Sequence, residues 1–352
     1  MPTIMLMTGR RLLVALLGLA LLASGCSGSG RGTAADRSGR SGRSQALSAD
    51  ATSTNDTVGS PCGWQGTAPA YYQHVIWVVF ENHSYGDLVG PVGSTEQQRA
   101  PYLNWLARHC GLATDYHSVT HPSLPNYLAM VSGGTGDVRT DCLPSACPQD
   151  LRTVFDQLQA HSRSWRVYAE SMPAACTKTD VGPYVARHNA PTYFPSRTAA
   201  CRVRDLPMGS LSAGHLVDDV RAGSLRALSL VIPNQCHNTH DCSIATGDRW
   251  LSKAMQLILG GADYREGGTA VFVTYDEGAG GYSGQSCSTD PDRSCHVVTL
   301  VVSPTTTPGT RSSTRFDHYA LLETTEHLFG FTTLLRHAGD PSTHSMRSAF
   351  GL

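Results

Sequence analysis

VIWVVFENHS, residues 75–84, is the stretch on which the architecture turns. From Val75 to Phe80 every residue is apolar, several are β-branched, and the run stops abruptly at Glu81. A strand with one wet face alternates polar and apolar residues, so an unbroken apolar run of this length reads as a strand buried on both faces, the habit of parallel sheets. Three more runs, mostly apolar and without regular polar alternation, follow: Leu228 to Ile232, Ala270 to Thr274 and Val297 to Val302. Helical patterns lie among them: Tyr102 to His109 ending at Gly111, Leu151 to Leu158, Asp248 to Leu259 ending at Gly260 and Gly261, and Tyr319 to Phe329 ending at Gly330. Alternation of this kind predicts an α/β sandwich with a mostly parallel central sheet.

Outside this core the chain changes character. Arg10 and Arg11 precede an apolar run from Leu12 to Ala23, which ends in the small residues Ser24 and Gly25 before Cys26. About a dozen apolar residues are too few to span a bilayer, which takes about 20, and the order of charge, apolar run and small residues is that of an export signal. Ala23-Ser24-Gly25-Cys26 is also similar to a lipoprotein box, whose cysteine takes up a lipid. Residues 1–26 are therefore expected to be a signal peptide, with the mature protein secreted or anchored through Cys26 to the outer face of the membrane. Residues 27–58 are Ser, Gly, Ala and Arg with almost no large side chain to bury, and read as a tether. Residues 59–352 show no further break or repeat and are expected to form one catalytic domain.

Of the eleven cysteines, setting Cys26 aside leaves an even number. In an exported chain that predicts disulfides, with Cys142 and Cys147, Cys236 and Cys242, and Cys287 and Cys295 close enough in sequence for local staples. None of these spacings is the CxxC pair of a zinc thiolate site. The net charge is −1, so no overall field points to nucleic acid, and specificity must come from local groups.

In an open parallel sheet ligands bind beyond the carboxyl ends of the strands. Two apolar runs deliver acids there: Phe80 is followed by Glu81-Asn82-His83-Ser84, and Thr274 by Tyr275-Asp276-Glu277-Gly278. Either acid alone reads equally well as a helix cap or a solvated loop residue. Together they are the hard oxygen donors that a divalent cation requires. A third segment, Thr120-His121-Pro122-Ser123-Leu124-Pro125-Asn126-Tyr127, leads into an apolar helical stretch and places Ser123 at its start. That position is either an ordinary N-cap or a nucleophile whose phosphate would meet backbone N–H groups. Pro233-Asn234 through Asn238-Thr239-His240-Asp241-Cys242 follows another strand, and Asp317-His318-Tyr319 opens the last long helix.

These five motifs, in this order, resemble the phosphoesterase family of bacterial acid phosphatases and phospholipases C, within the alkaline phosphatase superfamily. The resemblance runs from about His74 to Gly330 and is strongest to compact secreted acid phosphatases of mycobacterial type. It implies an alkaline-phosphatase-like α/β/α sandwich and a metal-dependent hydrolysis of phosphate monoesters, phosphoinositide phosphates among them. Carried over by position, it implies Glu81, Asn82, Asp276 and Glu277 as ligands of a divalent metal ion of unknown identity, Ser123 as nucleophile, and His121 and His240 as further catalytic groups. Asn126, Asp241 and His318 would then bind substrate. Asn238 stands where the family usually has Asp, which weakens the case for a second metal site. The expected partners are a small phosphorylated substrate or phospholipid headgroup and, through Cys26, the membrane. The alternatives are a phospholipase C or other phosphodiesterase using the same residues, and a lipoprotein that binds phosphorylated ligands without turnover.

Overall fold

At the centre of the sheet β1 (His74–Phe80) is flanked on both sides by parallel neighbours, and six of its seven residues are buried. This explains its lack of alternation. The computed structural model describes residues 60–288 and 291–352; the leader, Cys26 and the 27–58 tether lie outside the described residues. The other strands are β2 (Gly111–His117), β3 (Trp165–Ala169), β4 (Asp205–Pro207), β5 (Leu228–Ile232), β6 (Thr269–Tyr275), β7 (His296–Val302), β8 (Arg311–Ser312) and β9 (Phe316–Asp317). They form one sheet in the order β4-β3-β5-β1-β6-β7-β2-β8, with β9 also pairing β2. From β4 to β6 all pairings are parallel.

Helices cover both faces, as the side chains of β1 show. The Trp77 indole donates to Thr325 Oγ1 of the helix His318–Leu328 at 3.1 Å. Phe80, an odd number of residues away and hence on the opposite face, meets Trp250 of the helix Ile244–Leu259 edge-on at 6.0 Å. The helix Ser123–Ser132 packs beside His318–Leu328, and Pro101–His109 beside Ile244–Leu259. Asp248 joins the latter pair, accepting from the N–H groups of Tyr102 and Leu103 at 3.0 and 2.8 Å and so capping the first turn of Pro101–His109. The molecule is an α/β/α sandwich around a mostly parallel sheet.

The four apolar runs are strands, but β7 is antiparallel to both its neighbours rather than parallel. Among the described residues the connection from β6 to β7 holds no helix, the usual element of a parallel crossover, and the chain returns antiparallel. Burial on both faces, not direction, is what its apolar run encodes. The strands that carry polar residues, β2 with Thr114 and Asp115 and β3 with Arg166, have no such signature. All three local cysteine pairs are disulfides, joined by Cys62–Cys110 and Cys176–Cys201, whose partners are distant in sequence. Among the described residues no helix is long and apolar enough to cross a membrane.

Candidate active site

The register of β1 with β6 builds the site. Phe80 pairs Tyr275, and the Asp276 N–H donates to the Phe80 carbonyl at 3.0 Å, so Glu81 and Asp276 leave the sheet side by side. Asn82 follows with φ +56°, a left-handed conformation that asparagine tolerates, and its N–H reaches Asp276 Oδ1 at 3.4 Å. Ser123, first residue of the helix Ser123–Ser132, donates from its hydroxyl to Glu81 Oε2 at 3.0 Å and approaches Glu277 Oε1 at 3.4 Å. Carboxylates from two distant segments, Glu81 and Glu277, thus meet on one serine.

They converge in the dry interior. Glu81 and Asp276 are fully buried and Glu277 nearly so. Burial first, and then the Asp276 charge, raises the Glu81 carboxyl well above its ordinary range. Burial and Glu277 do the same to Asp276. Glu277 is pushed up to about 9 by burial and by Glu81. Asp276 Oδ2 is buried without a hydrogen-bond partner. Carboxylates crowded in this way cannot all ionise without a counter-charge, and a set of hard oxygens with one orphaned lone pair fits a divalent cation. The sulfur-containing clusters do not compete: in the groups His121, Cys287, Cys295 and Cys176, Cys201, Asp205 the cysteines are tied in disulfides.

His121 lies against the same cluster, its Nδ1 2.7 Å from Glu277 Oε2. A Cβ added to Gly281 would come within 2.2 Å of the imidazole, so the glycine gives the ring its room. His318 is also close, but as a prop. Its Nε2 bonds the Asp276 carbonyl at 2.6 Å and its Nδ1 the Tyr116 hydroxyl at 3.1 Å. Burial pulls its pKa down to about 4, and with both nitrogens engaged it holds the Asp276 backbone instead of presenting a donor to substrate. Asn126 braces the loop and also approaches the cluster, its Nδ2 3.5 Å from Glu277 Oε2. Its Oδ1 accepts from the N–H groups of Val119 and Thr120, and its Nδ2 donates to the carbonyls of Thr120 and Pro122, which fixes the loop ahead of Ser123.

The fourth motif divides. His240 Nδ1 pairs with Asp241 Oδ1 at 2.6 Å, and Asp241 is exposed, so this pair stands at the surface with no bond to Ser123. The Cys236–Cys242 staple forces a tight loop that turns the two outward. The inward-facing part is the backbone around Asn238 and Thr239: the Asn238 carbonyl accepts the Glu81 N–H at 3.0 Å and the Thr239 hydroxyl donates to the Glu81 carbonyl at 3.0 Å. The Asn238 side chain bonds Gln235 and the His240 N–H within its own loop.

Several neighbours carry no sequence motif. Tyr127 donates to Glu81 Oε1 at 2.6 Å and stacks on His188, whose Nε2 lies 3.1 Å from the same oxygen. Burial, then Arg187, lowers the His188 pKa well below the ordinary range. Arg187 pairs at 3.5 Å with Asp141, whose other oxygen accepts the Leu124 N–H in the first turn of the Ser123 helix at 3.0 Å. Arg187 and His188 sit in the short 3₁₀ helix Ala186–His188, where no periodicity marks them. Only Tyr127, one helical turn after Ser123 and so on the same face, could have been found from spacing.

The sequence model of the phosphoesterase family matches residues 91–332. This chain belongs to the phosphoesterase family. It is a hydrolase of phosphoester bonds. The match takes in Ser123, Asp276 and Glu277 and begins after Glu81 and Asn82. Among relatives in the family, a phosphatidylinositol-3-phosphatase of Mycobacterium tuberculosis is 28% identical over 279 residues, covering 76% of this chain and 80% of its own. An acid phosphatase of Aspergillus fumigatus is 27% identical over 246 residues, 66% of this chain but 52% of the fungal protein, so the chain spans about half the length of that relative. Solved structures extend the likeness to the fold. An alkaline phosphatase superfamily protein of Vibrio parahaemolyticus superposes with a TM-score of 0.52 at 12% identity, over 80% of this chain and 72% of the other. A phosphonate monoester hydrolase of Agrobacterium radiobacter gives 0.51 at 12% identity, over 79% and 77%.

Proposed function

We propose that the chain is an exported, metal-dependent phosphomonoesterase that works through a phosphoserine at Ser123. The observation that carries this is the Ser123 hydroxyl, at a helix N-terminus, within hydrogen-bond reach of Glu81 and Glu277 while Asp276 stands beside Glu81 with an unpartnered oxygen. Glu81, Asn82, Asp276 and Glu277 would hold the cation. Bound there, it would neutralise the carboxylates, lower the pKa of the serine hydroxyl and offset charge on the phosphoryl oxygens.

The residues divide the rest of the work. Ser123 Oγ bonds to phosphorus as the ester oxygen leaves, and its proton passes to a carboxylate of the cluster. His121 protonates the departing alkoxide. Water then cleaves the Ser123–phosphate bond, releasing inorganic phosphate and restoring the hydroxyl. The Leu124 N–H of the Ser123 helix and the Arg187 guanidinium, which meet on Asp141, receive the phosphate oxygens. Phosphoinositide phosphates are proposed among the substrates, on the strength of the mycobacterial relative. Export rests on the leader-like N-terminus and on disulfides that need an oxidising compartment.

The test is turnover of p-nitrophenyl phosphate beside bis-p-nitrophenyl phosphate, after chelation and after adding back single metals, for wild type and Ser123→Ala. The expected result is monoester hydrolysis that returns with a metal and falls by at least about 10³-fold in the variant. Near wild-type turnover by Ser123→Ala would remove the nucleophile from the proposal, and faster cleavage of the diester would move the substrate class.

A further inference from the structure

The opposite end of the sheet holds a second site. A cleft of about 330 Å³ is lined by Ser164, Trp165, Arg166, Val203, Arg204 and Arg226. Arg163 borders an adjoining hollow that shares Ser164 and Arg204 with it. The topology explains the cluster. β4, β3 and β5 are parallel neighbours, and Arg204 and Arg226 come just before β4 and β5 while Arg166 is the second residue of β3. Val167 pairs Asp205, so Arg204 falls beside Arg166 by continuation of the register; Trp165 pairs Leu228, so Arg226 falls beside Arg163. Arg166, Arg204 and Arg226 therefore line the cleft at the amino ends of these strands, away from the carboxyl ends that carry Glu81 and Asp276, while the Arg163 guanidinium is engaged with the Tyr72 carbonyl and the Phe329 ring.

The cleft has more donors than acceptors. Arg166 is paired with Asp219, which also accepts from the Tyr168 hydroxyl. Neither Arg204 nor Arg226 makes an ion pair with a carboxylate among the described residues; Arg204 lies over the Trp165 ring, 5.8 Å from its centre. Two further donors, Arg166 Nε and Trp165 Nε1, are buried with no hydrogen-bond partner. Buried donors left unpaired are costly, and arginines without a carboxylate partner in a concave setting are the usual receptor for phosphate oxygens.

We propose that this cleft is an anion-binding site, separate from the catalytic centre, for a ligand carrying two or more phosphate groups. Arg204 and Arg226 grip separate phosphates, and Arg166 lines the cleft beside them. Such a ligand is either a soluble polyphosphorylated compound or the headgroup of a polyphosphorylated lipid. The site does not depend on the assignment of Ser123.

The test titrates the full chain with inositol hexakisphosphate, wild type beside Arg204→Gln/Arg226→Gln, with Arg202→Gln as a control because Arg202 is exposed on the same helix but outside the cleft. The double variant is expected to bind at least about tenfold more weakly, while the control and the p-nitrophenyl phosphate turnover of all three proteins stay at wild-type level. Sedimentation with vesicles of phosphatidylcholine, with and without a phosphoinositide bisphosphate, then separates the sources: arginine-dependent capture by the second vesicle alone identifies a lipid headgroup, and binding of the hexakisphosphate without capture identifies a soluble ligand. Equal affinity in wild type and double variant, or a loss of turnover in step with the loss of binding, would overturn the proposal.

Discussion

Ser123 and the carboxylates around it make a cluster whose parts were visible one by one. Glu81 and Asp276 were legible because each follows an apolar strand, and Ser123 because a proline-flanked turn precedes its helix. Arg187 was not legible, because nothing in a 3₁₀ turn far along the chain signals that it will face the Ser123 helix. Arg187→Gln is expected to raise KM for a phosphate monoester about tenfold or more, the value of a charge-assisted hydrogen bond, with a smaller change in kcat. Steady-state kinetics of the pure variant measure both. Gly281 gives a second test at this scale. A methyl group there would meet the His121 ring at 2.2 Å, and a displaced general acid lowers kcat by about 10- to 100-fold. The loss in Gly281→Ala should be smaller for p-nitrophenyl phosphate than for an alkyl phosphate, whose poorer leaving group needs the proton more. Equal losses would mean that His121 is not the acid.

Among the elements, the strands set the positions and the loops after them hold the atoms. The Pro233–Cys242 segment reads in sequence as a donor of His240 and Asp241, yet its contribution is main-chain: Asn238 and Thr239 hold the backbone of Glu81. Spacing alone could not distinguish the two, because a six-residue disulfide decides which side chains turn outward. Replacing Cys236 and Cys242 together by serine should cost about 2 kcal/mol in stability by the loop-entropy estimate. It should also weaken metal binding, read as a higher metal concentration for half-maximal activity, since Glu81 loses its anchor. His240→Ala, in contrast, should leave the metal requirement where it is. β7 carries the same lesson at the level of pairing, since its apolar run encodes burial on two faces but not direction.

For the whole molecule, buried acids outside the catalytic cluster couple stability to pH. Glu326, buried on the helix His318–Leu328, accepts from Gln157 Nε2 and the Leu335 N–H, and burial raises its pKa to about 7. A carboxyl whose folded pKa lies above its unfolded value binds its proton more tightly in the native state, so its contribution is complete below the unfolded pKa and is lost as pH rises toward and past 7. The protein should therefore lose up to about 3 kcal/mol through this group between pH 4 and 8. Glu326→Gln, which keeps the accepting oxygen, should flatten that part of the Tm profile; an unchanged profile would show that Glu326 titrates normally.

What the sequence determined by itself was local and periodic. Mostly apolar runs without alternation specify doubly buried strands, helical spacing specifies the layers that cover them, close cysteines specify short staples, and acids at strand ends mark the edge of the sheet where the candidate site forms. The tertiary structure decided what depends on register and on contacts between distant segments. It set Glu81 beside Asp276, brought Arg187 to the Ser123 helix, turned Asn126 and His318 into supports, and gathered three arginines in one cleft at the far edge of the sheet. The physical reason is range: burial and secondary structure are selected within a few residues, whereas a site's electrostatics comes from groups that meet only after the chain has packed.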